Sequence, residues 1–130
     1  MEIHSKLLND SHFIYDFPLS QLRLIPDGDN TWFLLIPMRE GKKDWSDLSQ
    51  DEQHQLTDEI DLVCKEIQKH KDPDKLNVAS LGNMVPQLHI HVIARYKDDR
   101  AWPGPIWGSV ANNEFDNKEV LFWQDLFKSR

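Results

Sequence analysis

The chain has 130 residues, of which 39% are hydrophobic, and it carries a formal net charge of -7 at pH 7. This length predicts a single domain, residues 1–130, with its own hydrophobic core. The acidic balance argues against a protein that coats nucleic acid, because that function needs a broad basic surface. A small phosphorylated ligand stays compatible, since backbone N–H groups and histidines can bind phosphate locally.

The cysteine content and the apolar runs bear on location. Cys64 is the only cysteine, so the chain cannot form an internal disulfide. No apolar run approaches the roughly 20 residues that a membrane helix needs, and the first residues lack the pattern of a signal peptide. We therefore expect a cytoplasmic protein that does not contact membranes.

Three strands are predicted in the first part of the chain. Residues 13–17 and 21–26 have β-forming composition and are separated by Pro18. A turn-forming segment, PDGDN, then precedes a third strand at 31–38, which is apolar enough to be central. A hairpin joining the second and third strands is the simplest connection.

The middle of the chain predicts one main helix. Ser49 and Glu52 form a Ser-x-x-Glu capping box at its start. Apolar residues then follow with helical spacing, at Leu56, Ile60, Val63, Cys64 and Ile67. The helix should end near His70, shortly before Pro73.

The last part of the chain predicts two further strands and a short helix. The strands are 76–80 and 87–95, with a Gly82-Asn83 turn between them, and the helix is 117–128. The helix carries apolar residues that need a surface to pack against. Together these elements predict an α+β fold: an antiparallel sheet of about five strands, one main helix and a short C-terminal helix.

The fifth predicted strand reads QLHIHVIARY over residues 87–96. Because successive side chains of a strand point to opposite faces, the sheet should have one polar and one apolar face here. The polar face carries Gln87, His89, His91 and Arg95, and the apolar face carries Leu88, Ile90, Val92 and Ala94.

Two histidines in alternate positions admit three interpretations. They are polar side chains on a solvated or hydrogen-bonded face, or ligands of a metal, or a catalytic pair. The metal interpretation lacks a third ligand at a recognisable spacing. In the catalytic interpretation one imidazole attacks phosphorus and the other protonates the leaving group.

The residues around the histidines distinguish between these interpretations. The segment 77–95, NVASLGNMVPQLHIHVIAR, resembles the signature of the histidine-triad (HIT) superfamily: an Asn, a Gly-Gln-x-Val segment, then three histidines in alternate positions. The segment 34–38, LLIPM, is similar to that family's LVIPK strand, and the capped helix falls between the two. The resemblance covers roughly residues 13–95.

The resemblance implies an activity. It implies a nucleotidyl hydrolase or transferase that cleaves a phosphoanhydride, phosphoester or P–N bond of a nucleotide-like substrate through a covalent nucleotidyl-histidine. It implies no cofactor, no catalytic metal, and a homodimer, with which the apolar tail is compatible. His89 matches the nucleophile, and His91 matches the histidine that contacts phosphate oxygens and assists the leaving group. The substrate-binding positions it implies are Asn77, Gly82, Asn83 and Gln87.

Several positions depart from the family pattern. Gln87 replaces the first histidine of the triad, and Trp32 replaces a supporting histidine. These positions are neighbours in the family, so we expect the two changes to form one repacked support. Leu24 falls where the family binds ribose with a polar side chain, so Asp27 or Asp29 would have to replace it, or the substrate is not an ordinary nucleotide.

These departures leave two alternatives open. One is a non-catalytic protein that binds nucleotides or a protein partner, and the other is a metal-dependent enzyme that uses His89 and His91 as ligands. The basic residues Arg39, Lys42 and Lys43 are interpreted as a solvated loop, and the tryptophans of the tail as packing residues.

Overall fold

The computed structural model describes all 130 residues. The helices are α1 (Ser5–Asn9), α2 (Gln50–Lys71) and α3 (Lys118–Lys128), and a short 3-10 turn precedes α2 at Trp45–Asp47. The strands are β1 (His12–Asp16), β2 (Ser20–Leu24), β3 (Trp32–Pro37), β4 (Lys75–Ala79) and β5 (Ile90–Arg95). They form one antiparallel sheet in the order β1-β2-β3-β5-β4. The predicted α+β fold and the β2–β3 hairpin are confirmed.

One predicted boundary differs in a way that matters for the histidines. Strand β5 begins at Ile90, whereas the sequence predicts a start at residue 87. The backbone N–H of Leu88 donates to the carbonyl of Lys42 at 3.0 Å, outside the sheet. His89 is therefore the last residue before β5, whereas His91 lies within the strand.

Helix α2 covers one face of the sheet and builds the main core. Its predicted capping box is present: the Ser49 hydroxyl accepts from the Glu52 N–H at 3.1 Å, and the Glu52 carboxylate accepts from the Ser49 N–H at 2.8 Å. The core beneath it combines helix residues with alternate strand residues, among them Leu56, Val63, Leu22, Leu24, Phe33, Leu35, Ile90 and Val92. Burying each such side chain contributes about 1.5–3 kcal/mol.

Helix α3 finds its packing surface within the same chain. Trp123 is 0% exposed, and its ring centroid lies 5.1 Å from that of Phe33 in an edge-to-face contact. The side-chain amide of Gln124 donates to the carbonyl of Phe13 on β1 at 2.8 Å. Trp123 and Phe127 are thus buried without a partner, whereas Leu121 and Phe122 on the same helix stay exposed.

The opposite face of the sheet carries the histidines of the candidate site. The side chains of Trp32, Leu34, His91 and Ile93 lie there, and α1 packs its Leu7 onto Leu34. Helix α1 is absent from the predicted elements. No helix in the chain combines the length and apolarity required to span a membrane.

Buried ion pairs attach the irregular tail to the sheet. Arg95 donates to both oxygens of Asp99, at 2.8 and 3.1 Å. Arg100 binds Asp27 at 2.7 Å and Asp29 at 3.1 Å. These contacts hold residues 96–113 against the end of the β2–β3 hairpin, which places Trp107 beside the histidines.

Candidate active site

A cavity of about 740 Å³ opens on the polar face of the sheet. Its walls come from α1, the end of β2, the segment 81–85 and Trp107, and both histidines line it. Of the predicted site residues, the structure brings five together at this cavity: Trp32, Gly82, Asn83, His89 and His91. Asn77 and Gln87 are not among its lining residues.

His89 is held through one ring nitrogen. Its Nδ1 lies 2.7 Å from the backbone carbonyl oxygen of Gln87. A carbonyl oxygen only accepts, so Nδ1 carries a proton, and in the neutral ring Nε2 has the free lone pair. Nε2 makes no hydrogen bond within the chain, and the residue is only 7% exposed. The backbone thus sets the tautomer in which the neutral His89 ring keeps Nε2 free of a proton.

His91 has the opposite proton placement. The indole Nε1–H of Trp32 donates to His91 Nδ1 at 2.9 Å. An indole nitrogen only donates, so Nδ1 is the acceptor and the neutral ring carries its proton on Nε2. Burial, together with the nearby His89 ring, lowers the pKa of His91 from 6.5 to about 4. His91 is therefore uncharged near neutral pH.

The two rings are adjacent, with centroids 5.2 Å apart. An uncharged His91 can donate a hydrogen bond to a ligand oxygen, but it has no ready proton for a leaving group. This geometry supports the implied contact with phosphate oxygens and disfavours the implied role in protonation.

The turn before the histidines supplies further donors. Gly82 adopts φ +73°, which is strained for residues with a side chain, so the turn requires its glycine. The backbone N–H groups of residues 82–85 donate no hydrogen bond within the chain. Such a row of N–H groups is suited to binding an anion. Lys6 is the one lysine or arginine at the cavity, and Asp10 pairs with it at 2.9 Å.

The Gln87 side chain binds the backbone of the N-terminal segment and does not line the cavity. Its side-chain oxygen accepts from the backbone N–H of His4 at 2.8 Å, and its amide donates to the carbonyl of Glu2 at 3.1 Å. It therefore clamps the N-terminal segment that leads into α1. Since Trp32 bonds to His91 instead, the expectation that Gln87 and Trp32 form one repacked support is wrong.

The polar residues expected near a leaving group or a ribose are also engaged elsewhere. The side-chain oxygen of Asn77 accepts from Arg95 at 2.7 Å. Leu24 packs in the main core beneath α2. It lies two positions from Leu22, so both side chains point to the face of the sheet opposite the cavity. Asp27 and Asp29, the expected replacements for the ribose ligand, both bind Arg100, and neither lines the cavity.

The structure adds residues that the sequence did not indicate as site residues. Trp107 lines the cavity, with its ring centroid 5.0 Å from that of His91 in an edge-to-face contact. Asn9 and Asp10 contribute polar groups from the end of α1. Met84 lies on the rim and is 85% exposed.

The metal interpretation gains no ligand from the fold. No group of three or more His, Cys, Asp or Glu side chains in the chain is arranged to hold a metal ion. The histidine pair thus has no third protein ligand within this chain.

Comparison with known proteins places this site in a family. The model of the HIT domain matches residues 6–98. A histidine triad protein from Bradyrhizobium japonicum superposes with a TM-score of 0.91 and 40% identity, covering 98% of this chain and 96% of that chain. One from Sinorhizobium meliloti gives a TM-score of 0.90 and 34% identity, covering 98% and 95%.

A curated relative gives a shorter match. The bis(5'-adenosyl)-triphosphatase of Saccharomyces cerevisiae is 32% identical over 88 residues, which are 64% of this chain and 41% of the yeast protein. The matched region thus spans less than half of that relative. The family match covers most of the chain and includes the triad segment with Gln87, His89 and His91, so the chain belongs to the HIT domain family.

Proposed function

We propose that the chain is a nucleotidyl hydrolase or transferase that cleaves a phosphoanhydride, phosphoester or P–N bond through a covalent intermediate on His89. The observation that carries this proposal is the Nδ1–H bond of His89 to the Gln87 carbonyl, which leaves Nε2 as an unprotonated nucleophile at the cavity. Family membership and the similarity to a yeast bis(5'-adenosyl)-triphosphatase support a nucleotide-like substrate.

In the first step the lone pair of His89 Nε2 attacks phosphorus. A P–N bond forms, the bond from phosphorus to the leaving group breaks, and the leaving group takes the electron pair. The His89 ring becomes a cation that keeps its Nδ1–H. The Gln87 carbonyl at 2.7 Å accepts from this N–H more strongly as the charge develops, which favours the transition state.

In the second step water, or another acceptor for a transferase, attacks phosphorus. The new P–O bond forms, the P–N pair returns to Nε2, and the proton of the attacking oxygen passes to solvent. In both steps the phosphoryl oxygens are bound by N–H donors of the 82–85 turn and by His91 Nε2–H.

The proposal is tested by turnover. Purified protein is incubated with adenylyl and guanylyl conjugates that contain anhydride, ester or P–N bonds, and the released nucleotide is measured. The control is His89→Gln, which keeps a polar side chain of similar size. We expect wild-type turnover of at least one conjugate and a loss of more than about 10³-fold in the variant.

Two outcomes would contradict the proposal. Binding of nucleotide without any cleavage would support the non-catalytic alternative. Inhibition by a chelator that added zinc reverses would support the metal-dependent alternative. The expected homodimer remains a prediction. Light scattering during size-exclusion chromatography measures the molar mass and thereby tests it.

A further inference from the structure

Trp32 donates a hydrogen bond to one ring nitrogen of His91. Its Nε1–H points at His91 Nδ1 over 2.9 Å, and the pair is buried. A histidine in place of Trp32 would be able to donate or to accept, whereas an indole nitrogen can only donate. Protonation of His91 Nδ1 would set two N–H groups against each other, so the Trp32 contact keeps that nitrogen unprotonated.

The side chains beside His91 include no carboxylate that would stabilise a charge. Its neighbours on the adjacent strands are Trp32 and Leu34 on β3 and Ala79 on β4, and Trp107 covers it from the tail. The one titratable group beside it is His89, which becomes a cation when the P–N bond forms. Across the cavity, Lys6 and Asp10 pair with each other. Among the groups of the protein, a cationic His91 would therefore face repulsion from His89 and no counter-charge.

An uncharged His91 limits which bonds can break. Its Nε2–H can donate a hydrogen bond to a phosphoryl oxygen, but giving that proton away would leave an imidazolate anion. The other ionisable side chains at the cavity, Lys6 and Asp10, form an ion pair with each other at 2.9 Å. An alkoxide or an amide anion departs poorly without a proton, whereas phosphate, carboxylate and acidic phenolate anions depart readily.

Building on the function proposed above, we propose that Trp32 is a positioning residue that holds His91 as an uncharged N–H donor. It thereby restricts the enzyme to substrates whose leaving group departs as a weakly basic anion, such as a phosphate or a carboxylate. Of the bonds named in the proposed function, this arrangement selects phosphoanhydrides and esters of acidic phenols, and it excludes simple amines and alcohols as leaving groups.

The proton placement is tested by NMR without any substrate. The ¹⁵N shifts of the histidine rings distinguish a protonated from an unprotonated nitrogen, and His91→Gln assigns the signals. In the wild type we expect His91 to have an unprotonated Nδ1 and a protonated Nε2 throughout pH 6 to 8. A proton on Nδ1, or a cationic ring at pH 7, would overturn the proposal.

A matched pair of variants tests whether Trp32 is responsible. Trp32→Phe removes the N–H donor and keeps an aromatic ring, so the Nδ1–H form of His91 should become populated. Trp45→Phe is the control, because Trp45 lies in the exposed 3-10 turn before α2. It should leave the His91 shifts unchanged. If Trp32→Phe also left them unchanged, the proposed control by Trp32 would be wrong.

The leaving-group restriction is tested with esters and amidates of adenosine monophosphate that differ only in the leaving group. Wild-type kcat/KM should fall steeply from para-nitrophenol to phenol to a simple alcohol or amine. Trp32→His places beside His91 a side chain that can accept a hydrogen bond from Nδ1–H. The ratio of kcat/KM for the alcohol ester to kcat/KM for the para-nitrophenyl ester should therefore rise by at least about tenfold, which is less than the full effect of a positioned acid.

The outcomes separate this inference from the proposed function. Wild-type cleavage of alcohol or amine conjugates as fast as the para-nitrophenyl ester would overturn the leaving-group restriction while supporting the His89 mechanism. A protein that cleaves phosphoanhydrides but not the para-nitrophenyl ester would also overturn the restriction, because para-nitrophenolate is a weakly basic leaving group. Failure to cleave any conjugate, phosphoanhydrides included, would overturn the proposed function. The proton placement is judged in either case by the NMR experiment.

Discussion

The low pKa of His91 predicts how much the free energy of unfolding changes with pH. The ring is 7% exposed, and its pKa in the folded chain is about 4, against an ordinary value of 6.5. The unfolded chain therefore binds the proton more tightly, and stability is lost as pH falls from about 6.5 to about 4. A difference of 2.5 units corresponds to about 3 kcal/mol when the loss is complete, and to about 2 kcal/mol between pH 7.5 and pH 5.

The assay is urea unfolding of the wild type and of His91→Gln at those two pH values. Other groups titrate in both proteins, so the difference between their two changes isolates His91. The wild type should lose about 2 kcal/mol more than the variant on acidification. Equal losses, within about 0.5 kcal/mol, would show that His91 is not held uncharged by the fold.

Two further substitutions test the corrected roles of Gln87 and Leu24. Gln87→Ala removes two hydrogen bonds that hold the segment before α1. KM should therefore rise while kcat stays within about twofold, and the free energy of unfolding should fall by less than about 2 kcal/mol. A large loss of kcat would show that Gln87 takes part in the reaction. Leu24→Asn introduces the polar type of the family's ribose position into the core, so it should cost about 3 kcal/mol or more in urea unfolding without improving nucleotide binding. Tighter binding by a stable Leu24→Asn protein would show that this position faces the substrate.

The elements that could be predicted are those whose signals are local. The capping box of Ser49 and Glu52 depends on neighbouring residues and is present, and alternate residues of β5 share the core face, although the strand begins at Ile90. Helix α1 could not be predicted, because five residues, SKLLN, are too few to show a helical period. Its position depends on Leu7 packing against Leu34 and on the Gln87 clamp, which are contacts between distant segments.

In the candidate site too, the features that depend on neighbouring residues could be predicted, and those that depend on distant segments could not. His89, His91 and the Gly82-Asn83 turn lie within one short segment, so their grouping could be predicted. The partners of Gln87 and Asn77 are the N-terminal segment and Arg95, and neither pairing has a sequence signal. Trp107 reaches the cavity because ion pairs such as Arg95–Asp99 fold the tail back, which no local pattern indicates.

The most direct test of the central claim is to trap the intermediate on His89. Wild-type protein is mixed with the para-nitrophenyl ester of adenosine monophosphate and quenched into alkali, in which a phosphorus–nitrogen bond survives, and its peptides are then analysed by mass. The account predicts that the peptide containing His89 gains the mass of one adenylyl group, that acid removes it, and that His89→Gln protein gains none. Turnover by the wild type with no adduct on that peptide, or with the adduct on another residue, would contradict the account.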